Sequence, residues 1–317
     1  LYVAKFNADG FGLWLELTFG QNGLDGTNAT YPFASQADVL VNARLAADKL
    51  GATKMDRPEW AAVHPVTGEV YFTLTNNRVA SRPIASLDAA NPRAYEDART
   101  PTGSNTPGNV NGHIIRWREL GDDPAATTFN WDIYVFGAQA DADPNNVNIS
   151  ALTADNDFSS PDGLWFGRET NTSGSVLWIQ TDDGAYTDVT NCMLLAAIPG
   201  AVGDGVNRMI TSTLSGESKT ITTKIGKLPG TANLLRFLVG PKQCEITGID
   251  STPDGKVLFV NIQHPGEDTA TPTLNFGDPN TFGSRWPGNQ FAATRPGNRP
   301  RSATLVITKA DGGVVGL

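Results

Sequence analysis

The sequence predicts an all-β protein, and a β-propeller is the architecture that fits it best. Short apolar runs bounded by Gly, Pro, Asn and Asp recur along nearly the whole chain, as expected of strands joined by tight turns. The 317 residues include 33 Gly and 20 Pro, which favours a chain rich in turns. A weak internal repeat is the third observation, because long-period repeats are typical of propellers and other repeat folds. A sandwich of short strands is the competing interpretation.

The chain reads as strand from its first residues, Leu1–Phe6, and one short helix is predicted near 35–50. Ser35 can cap that helix and Gly51 can end it. A chain that opens inside a strand is expected to be the later part of a longer protein, so residues 1–317 are interpreted as a single propeller portion, incomplete at its N-terminus. Further strands are predicted at Val70–Leu74, His113–Trp117, Trp131–Phe136, Gly163–Phe166, Val176–Gln180, Met193–Ile198, Leu234–Val239, Ile246–Ile249, Val257–Ile262 and Ala303–Thr308.

Three segments share one plan: an acidic residue, a short apolar strand, a Gly-containing turn and a second apolar strand that ends in polar residues. They cover residues 57–77, 160–184 and 243–266. Their recurrence, at roughly 80–100 residues, is too long for one blade of four strands. An intervening and more divergent blade is therefore expected between each pair, supplied for instance by strands 113–117 and 131–136.

The acidic residues that head these segments are Glu59, Asp162 and Glu245. The innermost strand of each propeller blade begins beside the central channel, so equivalent positions in different blades converge on one axis. Three carboxylates held close together need a cation, and oxygen ligands favour Ca²⁺, Mg²⁺, Mn²⁺ or Fe³⁺. The alternative is that each acid accepts backbone hydrogen bonds or caps a turn. An Asp before Gly often does so, and Asp162 precedes Gly163.

Arg57 lies two residues before Glu59, so in a strand the two side chains point to the same side. The planar donors of an arginine beside a metal-held carboxylate fit phosphate or carboxylate oxygens. An ordinary surface pair between Arg57 and Glu59 is the other interpretation.

Other polar residues carry weaker signals. Four residues at the ends of second strands could ligate a cation, although Asx turns are the favoured interpretation. They are Asn76, Asn77, Asp182 and Asp183. The three histidines lack the spacing of a zinc-ligand pair and are interpreted as structural. Cys192 and Cys244 fit either one disulfide in an exported protein or two buried thiols.

The charge balance excludes some classes of partner. Lys and Arg number 24 against 33 Asp and Glu, giving a formal net charge of −9. Because basic residues form no block, neither stable nucleic-acid binding nor adhesion to an anionic membrane is expected. The negative charge leaves small or cationic molecules as the expected partners. No apolar run reaches the ~18 residues of a membrane span.

The same segments resemble the PhoX-type alkaline phosphatases, over nearly the whole chain. The matching motifs are Gly51-Ala-Thr-Lys-Met-Asp-Arg-Pro-Glu-Trp60, Gly68-Glu-Val-Tyr-Phe-Thr-Leu-Thr-Asn-Asn77, Gly112-His-Ile-Ile-Arg-Trp-Arg-Glu119, Ser160-Pro-Asp-Gly-Leu-Trp-Phe166, Leu177-Trp-Ile-Gln-Thr-Asp182, Gly240-Pro-Lys-Gln-Cys-Glu-Ile-Thr-Gly248, Phe259-Val-Asn-Ile-Gln-His-Pro-Gly-Glu267 and Arg301-Ser-Ala-Thr-Leu-Val-Ile-Thr308. The resemblance implies a six-bladed propeller with iron and calcium cofactors, exported in folded form by the twin-arginine (Tat) route. It further implies a periplasmic or secreted hydrolase of phosphate monoesters that serves phosphate acquisition, expected here to be a monomer.

In that family the Arg-Pro-Glu motif carries an arginine that contacts the substrate phosphate and a glutamate that ligates the metals. The resemblance implies these roles for Arg57 and Glu59. For Asp162 and Glu245 as metal ligands the support is mainly the repeat. The family's iron-binding cysteine lies in a Thr-Cys-Glu-Glu-like motif that has no match here, and the iron role is not transferred to Cys244. The chain thus resembles the C-terminal half to two-thirds of such an enzyme, with part of the metal centre missing.

The expected mechanism of the complete enzyme is attack on phosphorus by a metal-held oxygen nucleophile, with arginine assistance. Two alternatives stay open. One is a lactonase-like calcium propeller hydrolase, which would use the same acids without Arg57. The other is a non-catalytic propeller fragment that acts as a scaffold or binding module.

Overall fold

The chain folds mainly into antiparallel β-sheets, which confirms the all-β prediction. The computed structural model describes residues 1–97, 107–167, 175–182, 189–270, 275, 277–288 and 299–316. Within these ranges the strands are β1 (Tyr2–Phe6), β2 (Phe11–Glu16), β3 (Pro58–Val63), β4 (Val70–Leu74), β5 (His113–Glu119), β6 (Thr128–Phe136), β7 (Pro161–Phe166), β8 (Leu177–Thr181), β9 (Met193–Ala197), β10 (Val206–Leu214), β11 (Glu217–Ile225), β12 (Leu234–Val239), β13 (Glu245–Ser251), β14 (Val257–Gln263) and β15 (Ala303–Thr308). The helices are α1 (Gln36–Val41), α2 (Ala43–Leu50) and α3 (Gly230–Asn233).

The strands form three sheets that follow one another along the chain. The first has the order β1-β2-β6-β5-β4-β3, and the β10–β11 hairpin joins it by a parallel pairing between Ile225 and Ile133. The second sheet is β12-β9-β8-β7 and the third is β13-β14-β15. Antiparallel strands that run up and down in sequence order are how propeller blades are built, so the arrangement is propeller-like.

The three sequence repeats are three hairpins, β3–β4, β7–β8 and β13–β14, and each hairpin forms the starting edge of its own sheet. The prediction of a separate blade between the first two repeats is wrong. Strands β5 and β6 continue the sheet of β3 and β4 by antiparallel pairing. Among the described residues, the long period instead comes from the connections and from the β10–β11 hairpin, which is inserted between two strands of the second sheet.

The single helix predicted near 35–50 is two helices. The Ser35 side chain accepts a hydrogen bond from the Asp38 amide, and Gly51 ends α2 with a left-handed φ of 69°, as predicted. The break is at Asn42, whose side-chain amide donates to the Asp38 carbonyl (3.2 Å) and to the Asp38 carboxylate (2.8 Å). Asn42 keeps its backbone hydrogen bonds to Asp38 and Ala46, and the helices are separated by its own non-helical φ of −102° and ψ of 37°.

Apolar residues fill the space between neighbouring sheets. Tyr71 and Tyr134 of the first sheet pack in one core with Leu164 and Leu177 of the second. A second core joins the second and third sheets, and its buried members include Trp178, Leu194, Ile246 and Val260. Burying a large apolar side chain contributes about 1.5–3 kcal/mol. These cores therefore fix the positions of the hairpins β3–β4, β7–β8 and β13–β14 relative to one another.

Cys192 and Cys244 lie in the second of these cores as two buried thiols and are not joined by a disulfide. Burial raises the pKa of the Cys244 thiol to about 12. A thiol of this kind stays protonated and acts as a small apolar side chain.

A buried ion-pair network fastens the loop after β9 to the first sheet. Arg116 Nε lies 2.7 Å from an Asp132 carboxylate oxygen, and its Nη2 lies 2.7 Å from Asp204. The Asp132 carboxylate also accepts a hydrogen bond from the Gly203 amide (2.7 Å). Because removing one partner leaves the other charge buried, such a pair is costly to break.

No helix among the described residues has both the length and the apolar character needed to cross a membrane.

Candidate metal and anion site

The first strand of each repeat, β3, β7 or β13, is preceded by the same unusual backbone conformation. The residue two positions before each candidate acid has a positive φ: 42° at Arg57, 50° at Ser160 and 57° at Gln243. For residues other than glycine this left-handed conformation is uncommon, and it persists only where the surrounding structure enforces it. Its recurrence at three equivalent positions shows that the start of each repeat has one backbone design.

The carbonyl group of each left-handed residue is held by the far end of its own hairpin. The Thr75 amide donates to the Arg57 carbonyl (3.1 Å), and the Asp182 amide donates to the Ser160 carbonyl (3.1 Å). In the third repeat the Gly266 amide donates to the Gln243 carbonyl (2.9 Å). These bonds bring the residue that follows the second strand to the acidic end of the first.

A β-bulge follows within a few residues in each inner strand. The register shifts between Pro58 and Ala61, between Pro161 and Leu164, and between Thr247 and Ile249. Bulges bend a strand and redirect its side chains. The left-handed residue, the acidic residue and the bulge together place the acidic side chains at the open ends of the hairpins, where the first strand begins and the second strand ends.

Three carboxylates from two sheets meet at this end. One oxygen each of Asp162, Asp182 and Glu245 lies within 4.8 Å of the others, and all three residues are half-buried. Ligand oxygens of a bound Ca²⁺ lie about 2.3–2.6 Å from the ion, so oxygens at this spacing can share one cation. The structure thus brings together the predicted Asp162 and Glu245, with Asp182 as the third member.

Burial and neighbouring negative charges raise the pKa of two carboxyl groups in the cluster. Burial raises the pKa of Asp162, and the charges of Glu59 and Asp182 raise it further. Burial also raises the pKa of Glu245 to about 7, with additional contributions from Asp162 and Asp182. Like charges held together disfavour ionisation, and a hard cation removes that penalty. The donor set therefore fits Ca²⁺ or a similar oxygen-seeking cation.

Arg57 joins the cluster to the first sheet. Its Nε donates to Glu59 Oε1 (2.9 Å) and its Nη2 donates to Asp182 Oδ2 (3.2 Å). Burial lowers the pKa of Arg57, but the hydrogen bond to Glu59 and the charges of Asp182 and Glu59 outweigh it, so the pKa is raised. The guanidinium is about half exposed and stays charged beside the carboxylates.

Glu59 is placed differently from the other two predicted acids. It is the hydrogen-bond partner of Arg57 and lies outside the group of three carboxylates. Its negative charge nevertheless acts on the pKa of Asp162, which places it beside the cluster.

Hydrogen bonds across the sheets hold these strands in position. Fully buried Thr73 donates to the Asp162 carbonyl (2.7 Å) and accepts from the Trp60 amide (2.9 Å), linking β4, β3 and β7. On the far side, Gln263 Nε2 donates to Glu245 Oε2 (3.0 Å), and His264 Nε2 lies 3.3 Å from the same oxygen. Glu245 is thus oriented by its neighbours on the third sheet.

Sequence reasoning weighed Asp182 but favoured an Asx turn for it. The signal that could have identified it is the repeat itself, because Asp182 follows the second strand of the hairpin that carries Asp162. Asp183 lies outside the described residues. Asn76 and Asn77 have protein partners, since Asn76 donates to Ser160 Oγ (3.4 Å) and Asn77 donates to Asp56. His264, interpreted from sequence as structural, contacts Glu245 in the site.

Comparison with known proteins shows which family the chain resembles in sequence and in fold. The family model described as alkaline phosphatase PhoX matches residues 1–266. Among solved structures, a similar one is Pseudomonas fluorescens PhoX in complex with vanadate, a transition state analogue, with 36% sequence identity and a TM-score of 0.68. That match covers 99% of this chain and 45% of the other, so the chain spans less than half the length of that protein. A comparison with curated proteins gave no match.

The family match covers most of the chain and includes the Arg57 and Glu59 motif and all three carboxylates of the cluster. This chain belongs to the PhoX family of alkaline phosphatases.

Proposed function

We propose that the protein containing this chain is a metal-dependent phosphatase that hydrolyses phosphate monoesters. The observation that carries the proposal is the position of Arg57, whose guanidinium bonds two carboxylates at the edge of a three-carboxylate cation site. Cations and fixed hydrogen-bond donors both stabilise the charge on the oxygens of a phosphoryl group during its transfer. The similar Pseudomonas fluorescens protein was solved with a transition state analogue, which supports a site of this kind.

The residues of the chain have separable tasks in this proposal. Asp162, Asp182 and Glu245 hold the cation, with Glu59 as a further ligand beside them. When bound, the cation supplies Lewis acidity toward the phosphate oxygens and toward the attacking water. Arg57 uses two of its five N–H donors on Glu59 and Asp182 among the described residues, and it turns the others toward the equatorial oxygens of the phosphate. The carboxylates thus fix the plane of the guanidinium before substrate binds.

Several finer features belong to the same proposal. Calcium is supported by the all-oxygen donor set, whereas iron, the six-bladed closure and a monomeric state are supported by the family resemblance alone. Export by the twin-arginine route, a periplasmic or secreted location, and a role in phosphate acquisition have the same support.

The test uses the full-length protein with p-nitrophenyl phosphate as substrate. Removal of metal with a chelator should abolish hydrolysis, and added Ca²⁺ with iron should restore it. Arg57→Ala should lower kcat/KM by at least ~100-fold, because a lost transition-state donor costs about 2.7–4 kcal/mol. Arg118→Ala is the matched control, since Arg118 is an exposed arginine paired with Asp122 in the same sheet. Hydrolysis that is unaffected by chelation, or equal activity of the two variants, would overturn the proposal.

A further inference from the structure

Asp56, the residue before Arg57, is completely buried and is surrounded by hydrogen-bond donors. One carboxylate oxygen accepts from Asn77 Nδ2 (2.5 Å) and from Arg82 Nε, and the other accepts from Asn109 Nδ2 (3.3 Å). The Asp56 amide donates to Asn91 Oδ1 (2.9 Å). We propose that Asp56 is the positioning residue of the anion site, holding Arg57 in the backbone conformation from which it binds phosphate.

The hydrogen-bond partners of Asp56 all come from the stretch of chain between β4 and β5. Asn77 follows β4, while Arg82 and Asn91 lie in the connection toward β5. Arg82 also donates to the Lys54 carbonyl (2.6 Å), so it binds the chain at Asp56 and two residues before it. The Asp56 carboxylate thus joins the start of one strand of the first repeat to the end of the other.

The network continues into the body of the first sheet. Asn109, which donates to Asp56, accepts from Arg93 Nε (2.9 Å). Arg93 is 1% exposed and donates to the carbonyl groups of Gly112 and Gly137, both at 2.7 Å. Buried polar networks that are satisfied in this way rigidify the backbone they contact.

The position of Arg57 explains why it needs such support. Its φ of 42° is unfavourable for a residue with a β-carbon and persists only where the surrounding structure imposes it. The surroundings are the Asp56 network on one side and the Thr75 amide on the other, which donates to the Arg57 carbonyl. Without the Asp56 charge, the turn loses its main anchor and Arg57 relaxes away from Glu59 and Asp182.

The inference rests on the proposed function and is tested by a double-mutant cycle in the metal-loaded, full-length protein. The variants are Asp56→Asn, Arg57→Ala and their combination, with kcat and KM for p-nitrophenyl phosphate and the inhibition constant of inorganic phosphate as readouts. We expect Asp56→Asn alone to lower kcat/KM and to weaken inhibition by phosphate at least tenfold. In the Arg57→Ala background the same change should alter either quantity less than twofold, because Asp56 acts through Arg57.

Two further measurements separate positioning from simple loss of stability. Metal content should be unchanged in Asp56→Asn, since the three carboxylates that hold the cation, Asp162, Asp182 and Glu245, lie outside the first sheet and Glu59 lies outside their group. Asp132→Asn is the matched control, because it also removes a buried carboxylate from an arginine in the first sheet, and it should retain wild-type kinetics below its melting temperature. If Asp56→Asn does not fold, Asn77→Ala removes a single donor from Asp56 and should show the same dependence on Arg57.

The outcomes distinguish the two claims. Full activity of Arg57→Ala would overturn the proposed function. A large effect of Arg57→Ala combined with an independent, additive effect of Asp56→Asn, or with none, would overturn the positioning role and leave the proposed function standing.

Discussion

At the scale of single residues, His113 links the stability of the first sheet to pH. Its Nδ1 accepts from Asn109 Nδ2 at 2.9 Å, and its Nε2–H donates to the Ala90 carbonyl at 2.8 Å. Burial lowers the pKa of His113 to about 4. The unfolded chain takes up this proton below about pH 6.5, whereas the folded chain resists it until about pH 4. The neutral histidine therefore contributes stability above pH 6.5 that is lost as the pH falls toward 4.

We expect the free energy of unfolding to fall by roughly 3 kcal/mol between pH 7 and pH 4 through this residue alone. Urea unfolding of wild type and of His113→Gln, which can keep both hydrogen bonds, measures the effect. The difference between the two proteins at pH 8 gives the packing cost, and the variant should then lose less stability than wild type on acidification. Parallel pH profiles for the two proteins would contradict this assignment.

At the residue scale, the repeat predicted which acidic residues lie close together. Asp162 and Glu245 each head a repeat, and their carboxylates do meet, while their role as metal ligands stays a prediction. For Asp182 an Asx turn was favoured because an aspartate after a strand is more often a turn residue, and its position beside Asp162 and Glu245 becomes visible only in the tertiary structure. The Asp56 network could not be read from sequence, since its donors are spread over connections without periodicity.

At the scale of elements, Gly112 determines how β5 enters the first sheet. It has a φ of 62°, and a β-carbon there would overlap the carbonyl oxygens of Thr75 and Leu74. Gly121 has a similar φ of 74°, but a β-carbon would have nothing within 4 Å. The two glycines therefore separate the cost of a left-handed backbone from the cost of a steric clash.

Gly121→Ala should destabilise the protein by about 1–2 kcal/mol, the cost of the left-handed conformation alone. Gly112→Ala should cost more than ~3 kcal/mol, because the backbone of β4 must move as well. Since Thr75 bonds the Arg57 carbonyl, Gly112→Ala should also reduce phosphatase activity. Thermal unfolding and the p-nitrophenyl phosphate assay check both statements, and equal destabilisation by the two variants would show that the clash is relieved at no cost.

Most strands were predictable because their apolar residues face a core. Strands β10 and β11 were missed for a physical reason: residues such as Thr211, Ser218 and Thr220 give them little apolar signal, and many of their side chains are exposed. Their stability comes from cross-strand pairing and from tertiary bonds, such as Lys219 Nζ to the Leu87 carbonyl (2.7 Å). No window of local sequence contains that information.

At the scale of the whole molecule, the carboxylate cluster spans two sheets. Asp162 and Asp182 belong to the second sheet and Glu245 belongs to the third. A cation bound there connects the sheets and binds only the folded state, so it stabilises the protein by mass action. The fold class followed from the sequence, but the blade boundaries did not, because the β10–β11 hairpin pairs with a sheet formed earlier in the chain.

Ca²⁺ at 100 times its dissociation constant should add about 2.7 kcal/mol to the free energy of unfolding. Melting temperatures with Ca²⁺ and with chelator measure this, and Glu245→Gln should abolish the difference. Glu217→Gln, at the exposed start of β11, is the control and should keep the full response. A Ca²⁺ response that survives in Glu245→Gln would locate the ion elsewhere.

The division of the cluster between two sheets also fixes when an ion can be captured during synthesis. Asp162 and Asp182 leave the ribosome together on one hairpin, whereas Glu245 follows only after the β10–β11 hairpin and β12. A nascent chain that ends before residue 245 has two of the three carboxylates and retains a cation weakly. The complete donor set is therefore assembled only when the third sheet docks on the second.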